Sequence, residues 1–117
     1  MTTARTTHNA FSTAGLSLVP IRIADDRVRL AVAGEVDMAT ARQFDDVLIG
    51  LLQERPTLID VDLEGLRFLD SAGILVLLRN HTSAAEQGCQ LMISNPPATV
   101  RRVLHITGVL ALLTAEA

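Results

Sequence analysis

The segment Asp70-Ser71-Ala72-Gly73 holds the chain's sharpest chemical possibility. It falls where a strand-like stretch hands over to a helical pattern, so Ser71 lies at a helix start. The first amides of a helix lack intrahelical partners, and the aligned peptide dipoles favour negative charge there. Two readings of Ser71 follow. Asp70 or Ser71 can cap the helix by accepting a backbone N–H. Alternatively, the Ser71 hydroxyl accepts a phosphoryl group, which brings about two negative charges beside those donors. That would change the surface next to Asp70 without unfolding anything. Gly73, with no Cβ, would let a partner's backbone come close.

Competing chemistries are weaker. A serine-hydrolase elbow needs Gly-x-Ser-x-Gly; Gly73 supplies the second glycine, but Leu69 stands at the first. Neither His81 nor His105 is placed diagnostically as a base for Ser71. Asp60-x-Asp62-x-Glu64-Gly65 resembles the opening of a calcium loop, yet the twelfth position, where a glutamate is required, is Ser71. An acidic strand face followed by a turn explains it better, so no metal site is expected. Gly34-Glu35-Val36-Asp37 sets two carboxylates two residues apart. They read as a turn and helix cap, or as a partner contact at the same sheet end as Ser71. Loops that follow parallel strands share the sheet's carboxyl edge. Arg101-Arg102 reads as a solvated helix face. Cys89 opens a strand and reads as a buried structural thiol; a redox role would need exposure and a lowered pKa.

The elements that must position these residues follow from periodicity. Leu16, Leu18, Ile21 and Ile23 give a loose strand in which Pro20 suits an edge. Asp25-Asp26 turns the chain, and Val28, Leu30 and Val32 alternate in a second strand, making a hairpin with a slightly long loop. Gly34 closes that strand. A first helix starts near Asp37 or Thr40, with Thr40 and Gln43 matching a capping box. Its apolar face is Ala41, Phe44, Val47, Leu48, Leu51 and Leu52, and Pro56 ends it. Leu58 to Leu63 alternate as a strand. A second helix is predicted from Ser71 to Gln87, with Leu75, Leu78 and Thr82 on its stripe and Ile74 and Leu77 beside it. Gly88 stops it. Leu91, Met92 and Ile93 form a buried strand, and Asn95-Pro96-Pro97 turns into a helix from Pro97 to Ile106. Gly108 breaks it before a short apolar end at Val109 to Leu113. Alternating strands and helices after a hairpin imply an α/β fold with a small mixed sheet and helices packed on it.

Composition bounds the rest. The 117 residues are 49% hydrophobic and 20% charged, which excludes disorder for most of the chain. A net charge of -3 argues against nucleic acid as a partner. All ten basic residues are arginine, and with no Trp or Tyr there is no stacking platform. One cysteine excludes an intrachain disulfide. No apolar run approaches a membrane span, and the N-terminus lacks a secretory signal, so a cytoplasmic protein is expected. Residues 1–14, rich in Ser and Thr, read as a flexible leader before a single domain over 15–117.

Taken in order, Gly34-Glu35-Val36-Asp37, Asp62-Leu63 leading to Phe68-Leu69-Asp70-Ser71-Ala72-Gly73-Ile74, Asn95-Pro96-Pro97 and Leu104-His105-Ile106-Thr107-Gly108 closely resemble the STAS-domain family, specifically the bacterial anti-sigma-factor antagonists. The resemblance covers roughly residues 15 to 115. It implies a STAS fold and a binding protein rather than an enzyme, with no cofactor of its own. The implied partner is an anti-sigma factor that is also a serine kinase of the GHKL type. The unphosphorylated form binds that partner and releases a sigma factor; phosphorylation of Ser71 ends binding, and a serine phosphatase resets it. Asp37 matches a family position that contributes to partner binding. Glu35, Asp70, Ala72 and Gly73 join Ser71 in the expected partner surface. A monomer or weak dimer is expected. A STAS scaffold, or a lipid-transport or stress-signalling subunit not controlled by Ser71, is the other implied function.

Overall fold

A computed structural model describes residues 11–13 and 15–114. The elements are β1 (Phe11–Thr13), β2 (Leu16–Ala24), β3 (Arg27–Val36), α1 (Ala41–Gln53), β4 (Leu58–Leu69), α2 (Ser71–Glu86), β5 (Gln90–Ser94), α3 (Ala98–Ile106) and α4 (Leu110–Thr114). One five-stranded sheet has the order β1-β2-β3-β4-β5. β2 pairs antiparallel with β1 and β3, whereas β4 runs parallel to β3 and β5 parallel to β4. The mixed sheet expected from the element order is therefore present, with helical crossovers joining its parallel strands.

Period-two alternation decides which face is covered. Val28, Leu30, Val32 and Val36 project to one side of β3, in register with Ile59, Val61 and Leu69 of β4. Leu91 and Ile93 continue that surface on β5. All of these side chains are buried. Onto them α1 lays Phe44, Val47, Leu48, Leu51 and Leu52, and α2 lays Ile74, Val76, Leu77 and Ala84. Val100, Leu104 and Leu113 bring α3 and α4 into the same core. The helices meet over a polar clasp as well. Asp45 of α1 accepts from Arg79 Nη2 at 2.9 Å and from Asn80 Nδ2 at 2.7 Å, and Asn80 is buried.

Several sequence expectations shift. Phe11–Thr13, placed in the leader, forms an edge strand; residues 1–10 lie outside the described residues. The hairpin turn is a tight Asp25-Asp26 pair, and the extra length sits in a bulge between Arg22 and Ala24. β3 does not close at Gly34 but runs to Val36, because Gly34 adopts φ 104° and the next amide, Glu35 N–H, donates to Gly15 O at 2.7 Å. β4 continues past Leu63 to Leu69 through irregularities in its pairing with β3. There Gly65 lies against Ala33, where an added Cβ would come within 2.8 Å of the Ala33 Cβ. Pro97 caps α3 from outside the helix. Leu75, expected on the buried stripe of α2, is 52% exposed; the buried side runs through Gly73, Ile74, Val76, Leu77, Asn80 and Ala84.

Candidate functional site

The parallel pairing of β3 with β4 decides where the chemistry collects. Glu35 is level with Phe68 and Val36 with Leu69, and the Asp70 N–H donates to Val36 O at 3.1 Å. The chain therefore leaves both strands side by side, bringing Asp37 and the Asp70-Ser71 corner to one end of the sheet.

At that corner the two capping readings separate. Asp70 is the cap: its backbone is extended (φ -107°, ψ -171°), and Oδ1 accepts from Ala72 N–H at 2.9 Å and Gly73 N–H at 3.3 Å. Ser71 is exposed, and its hydroxyl makes no hydrogen bond among the described residues. None of the described residues uses that oxygen.

Gly73 has a different reason from the one its type suggests. It is buried, and a Cβ there would collide with Leu69 Cδ1 and come within 2.7 Å of Val36 Cγ1. The missing side chain lets α2 start directly on the ends of β3 and β4. Gly73 therefore positions the corner and presents no surface of its own.

Asp37 builds the neighbouring loop. Its Oδ1 accepts from Ala39 N–H at 2.9 Å and Thr40 N–H at 3.1 Å. Thr40 is buried, accepts from Asp37 N–H at 3.0 Å and donates its hydroxyl to Glu35 O at 2.9 Å. The Thr40–Gln43 capping box is thus absent: the Thr40 oxygen is spent on the loop, and the buried Gln43 Oε1 has no partner among the described residues. The effect of this bracing is to hold Met38 out, at 85% exposed.

Sequence patterning missed the apolar rim. Met38, Phe68 (49% exposed) and Leu75 lie in the elements that converge on Ser71. Leu75 is one turn beyond Ser71 on the same helix face. Only the sheet register and the α2 packing direction reveal these side chains as uncovered. Phe68 also borders a shallow groove of about 80 Å³ shared with Arg67, Thr99 and Val103. The polar members of the rim are Glu35 and Arg67, an exposed pair 4.0 Å apart. Such a pair adds little to stability.

The alternatives lose their geometry. Ser71 and His81 are ten residues apart on α2, about 15 Å along the axis, so that histidine cannot serve as its base. Asp60 is occupied by Arg29 Nε at 3.1 Å and Ser94 Oγ at 2.7 Å, and Asp62 by Asn95 Nδ2 at 3.1 Å. Among the described residues no cluster of His, Cys, Asp and Glu could hold a metal ion. Cys89 is buried, and burial pushes its thiol pKa up, against a weaker opposing backbone hydrogen bond at Ile59. That is the reverse of an activated thiolate. Among the described residues no helix is long and apolar enough to cross a membrane.

Comparison with known proteins places this geometry in context. A family model described as "Mlab, STAS domain" matches residues 19–114. The anti-sigma-F factor antagonist RsfB of Mycobacterium tuberculosis is 25% identical over 79 residues, which cover 68% of this chain and 64% of that protein. The chain thus spans less than two thirds of the length of that relative. The anti-sigma factor antagonist SpoIIAA in its unphosphorylated form superposes with a TM-score of 0.73 at 22% identity, covering 86% of this chain and 87% of the other. SpoIIAA of Bacillus in its phosphorylated form gives 0.67 at 23% identity, covering 86% and 90%. These two likenesses establish a shared fold.

Proposed function

The chain belongs to the STAS-domain family, and from that premise we propose that it is an anti-sigma-factor antagonist whose grip on its partner is set by phosphorylation of Ser71. The observation that carries the reading is the free Ser71 hydroxyl, exposed on a helix start that Asp70 already caps. Two related structures, one of an unphosphorylated and one of a phosphorylated antagonist, share the fold.

The chemistry asked of this chain is small. Ser71 is a substrate hydroxyl, so no activating base is needed within the chain. A GHKL-type kinase, which is also the anti-sigma factor, brings ATP, Mg²⁺ and the base. Ser71 Oγ bonds to the γ-phosphorus, the bond to the ADP oxygen breaks, the proton passes to the kinase base, and ADP leaves. A serine phosphatase reverses the mark by hydrolysis.

Binding and release then follow from the surface. Met38, Phe68 and Leu75 supply apolar area near Ser71, and exposed apolar area of this kind marks contact sites. A dianion set among them must be desolvated when the interface closes, and it meets the Asp70 and Asp37 carboxylates. The cost falls on the complex and the fold stays intact.

Incubation with the cognate kinase and ATP tests this by intact mass. One phosphoryl group should appear on the wild type and none on Ser71→Ala. A gain that persists in Ser71→Ala ends the proposal. Met38→Ala should fold normally and bind that kinase at least fivefold more weakly, a loss of about 1 kcal/mol or more. A scaffold or lipid-transport subunit not governed by Ser71 would instead bind its partner equally well as Ser71→Asp, or carry a copurifying lipid.

A further inference from the structure

Three first-turn amides of α2 stand outside the helix's own hydrogen-bond ladder: those of Ser71, Ala72 and Gly73. The fourth, Ile74 N–H, already donates to Asp70 O at 3.0 Å. Asp70 Oδ1 takes two of the three. The position an anion would occupy at this helix start is therefore held by a carboxylate from the adjacent residue. The other charged groups at this end of the sheet are Asp37, Arg67 and, in the first turn of α1, the exposed Arg42. Asp37 is an acid committed to its own loop, and Arg67 faces Glu35.

Resting on the reading of Ser71 as the phosphoacceptor, we propose that Asp70 is a resident anion that withholds the α2 amides from the phosphate, so that the phosphoryl group stays turned to solvent instead of folding back as a helix cap. A phosphate at the first helical position has the reach to compete for such amides, and uncontested it would gain their dipole and hydrogen bonds. Here it would have to displace a carboxylate whose extended backbone is already set for capping. Two anions competing for the same donors leave the newcomer outside. An outward phosphate is open to a phosphatase and repels a returning partner; one tied down on the helix would do neither well.

The test uses the whole chain with phosphoserine installed at position 71 during translation, so no kinase or sigma factor takes part. Amide proton–nitrogen spectra of Ala72 and Gly73 are followed with the phosphorus signal through the phosphate's second ionisation, near pH 6 by the usual value. In the wild type, both amides should keep their positions as the phosphate titrates. In Asp70→Ala both should move with it, and the phosphate pKa should fall by roughly 0.2–0.7 unit, the range for a charge at a helix N-terminus. Asp70→Asn keeps a capping oxygen and should leave the amides unresponsive. Wild-type amides that follow the phosphate would overturn the proposal. So would Asp70→Ala amides that ignore it, since something other than Asp70 would then keep the phosphate away. Failure of the kinase assay above bears on the phosphoacceptor reading and leaves these spectra to be judged separately.

Discussion

Replacing each of two adjacent residues by alanine separates the helix cap from the uncommitted hydroxyl. Asp70→Ala removes the acceptor of the Ala72 and Gly73 N–H bonds. Losing an N-cap of this type costs about 1 kcal/mol, up to roughly 2, and part of that is the lost negative charge at the helix N-terminus. Ser71→Ala removes a hydroxyl that bonds to nothing described and lies in solvent. Alanine is the better helix former by up to about 0.5 kcal/mol, so this variant should match or slightly exceed the wild type. The chain has no Trp or Tyr, so far-UV circular dichroism in a urea titration is the suitable readout. Asp70→Ala should lower the midpoint at an unchanged slope, with a melting temperature lower by roughly 4–8 °C. Asp70→Asn should recover most of the loss. Should Ser71→Ala prove as damaging as Asp70→Ala, the hydroxyl would have a structural duty and the division of labour would be wrong.

Gly73→Ala would ordinarily stabilise a helix by up to about 1 kcal/mol. Here the new methyl meets Leu69 and the stiff, buried Val36. Overpacking at about 1–3 kcal/mol should win, and a denaturant midpoint above wild type would show that the contact yields cheaply. Cys89 gives a pH prediction. Its thiol pKa is raised in the folded state, chiefly by burial, so the unfolded chain loses the proton first as pH rises. Stability should hold below the unfolded thiol's pKa of about 8.5 and fall above it, by no more than about 1.4 kcal/mol per pH unit. Cys89→Ala should flatten that alkaline decline; an unchanged decline would assign it to other groups.

What could be read directly from the residues was whatever a local period decides. The β2–β3 hairpin, the apolar face of α1, and the helix start after Asp70 each depend on near neighbours. The misread places depend on distant ones. Gly34 and Gly65 look like strand stops, yet both lie inside strands, because Gly15 and Ala33 approach them too closely for a side chain. Leu75 looks like core because α2 is apolar on several sides, and only the packing of α2 through Ile74, Val76, Leu77, Asn80 and Ala84 leaves it bare. Thr40 with Gln43 has the letters of a capping box, but the β3 end claims the threonine oxygen first. Gly73 was legible as special, though for the wrong neighbour: the strands beneath it and no visiting chain.

The unengaged Ser71 oxygen has a consequence for how the molecule ages and evolves. No hydrogen bond among the described residues depends on it, so deleting it or adding a group to it should leave the melting curve nearly where it was. Under the phosphoacceptor proposal, heat tolerance and message therefore rest on separate residues, and drift in the core would alter how long each copy survives without altering what it reports.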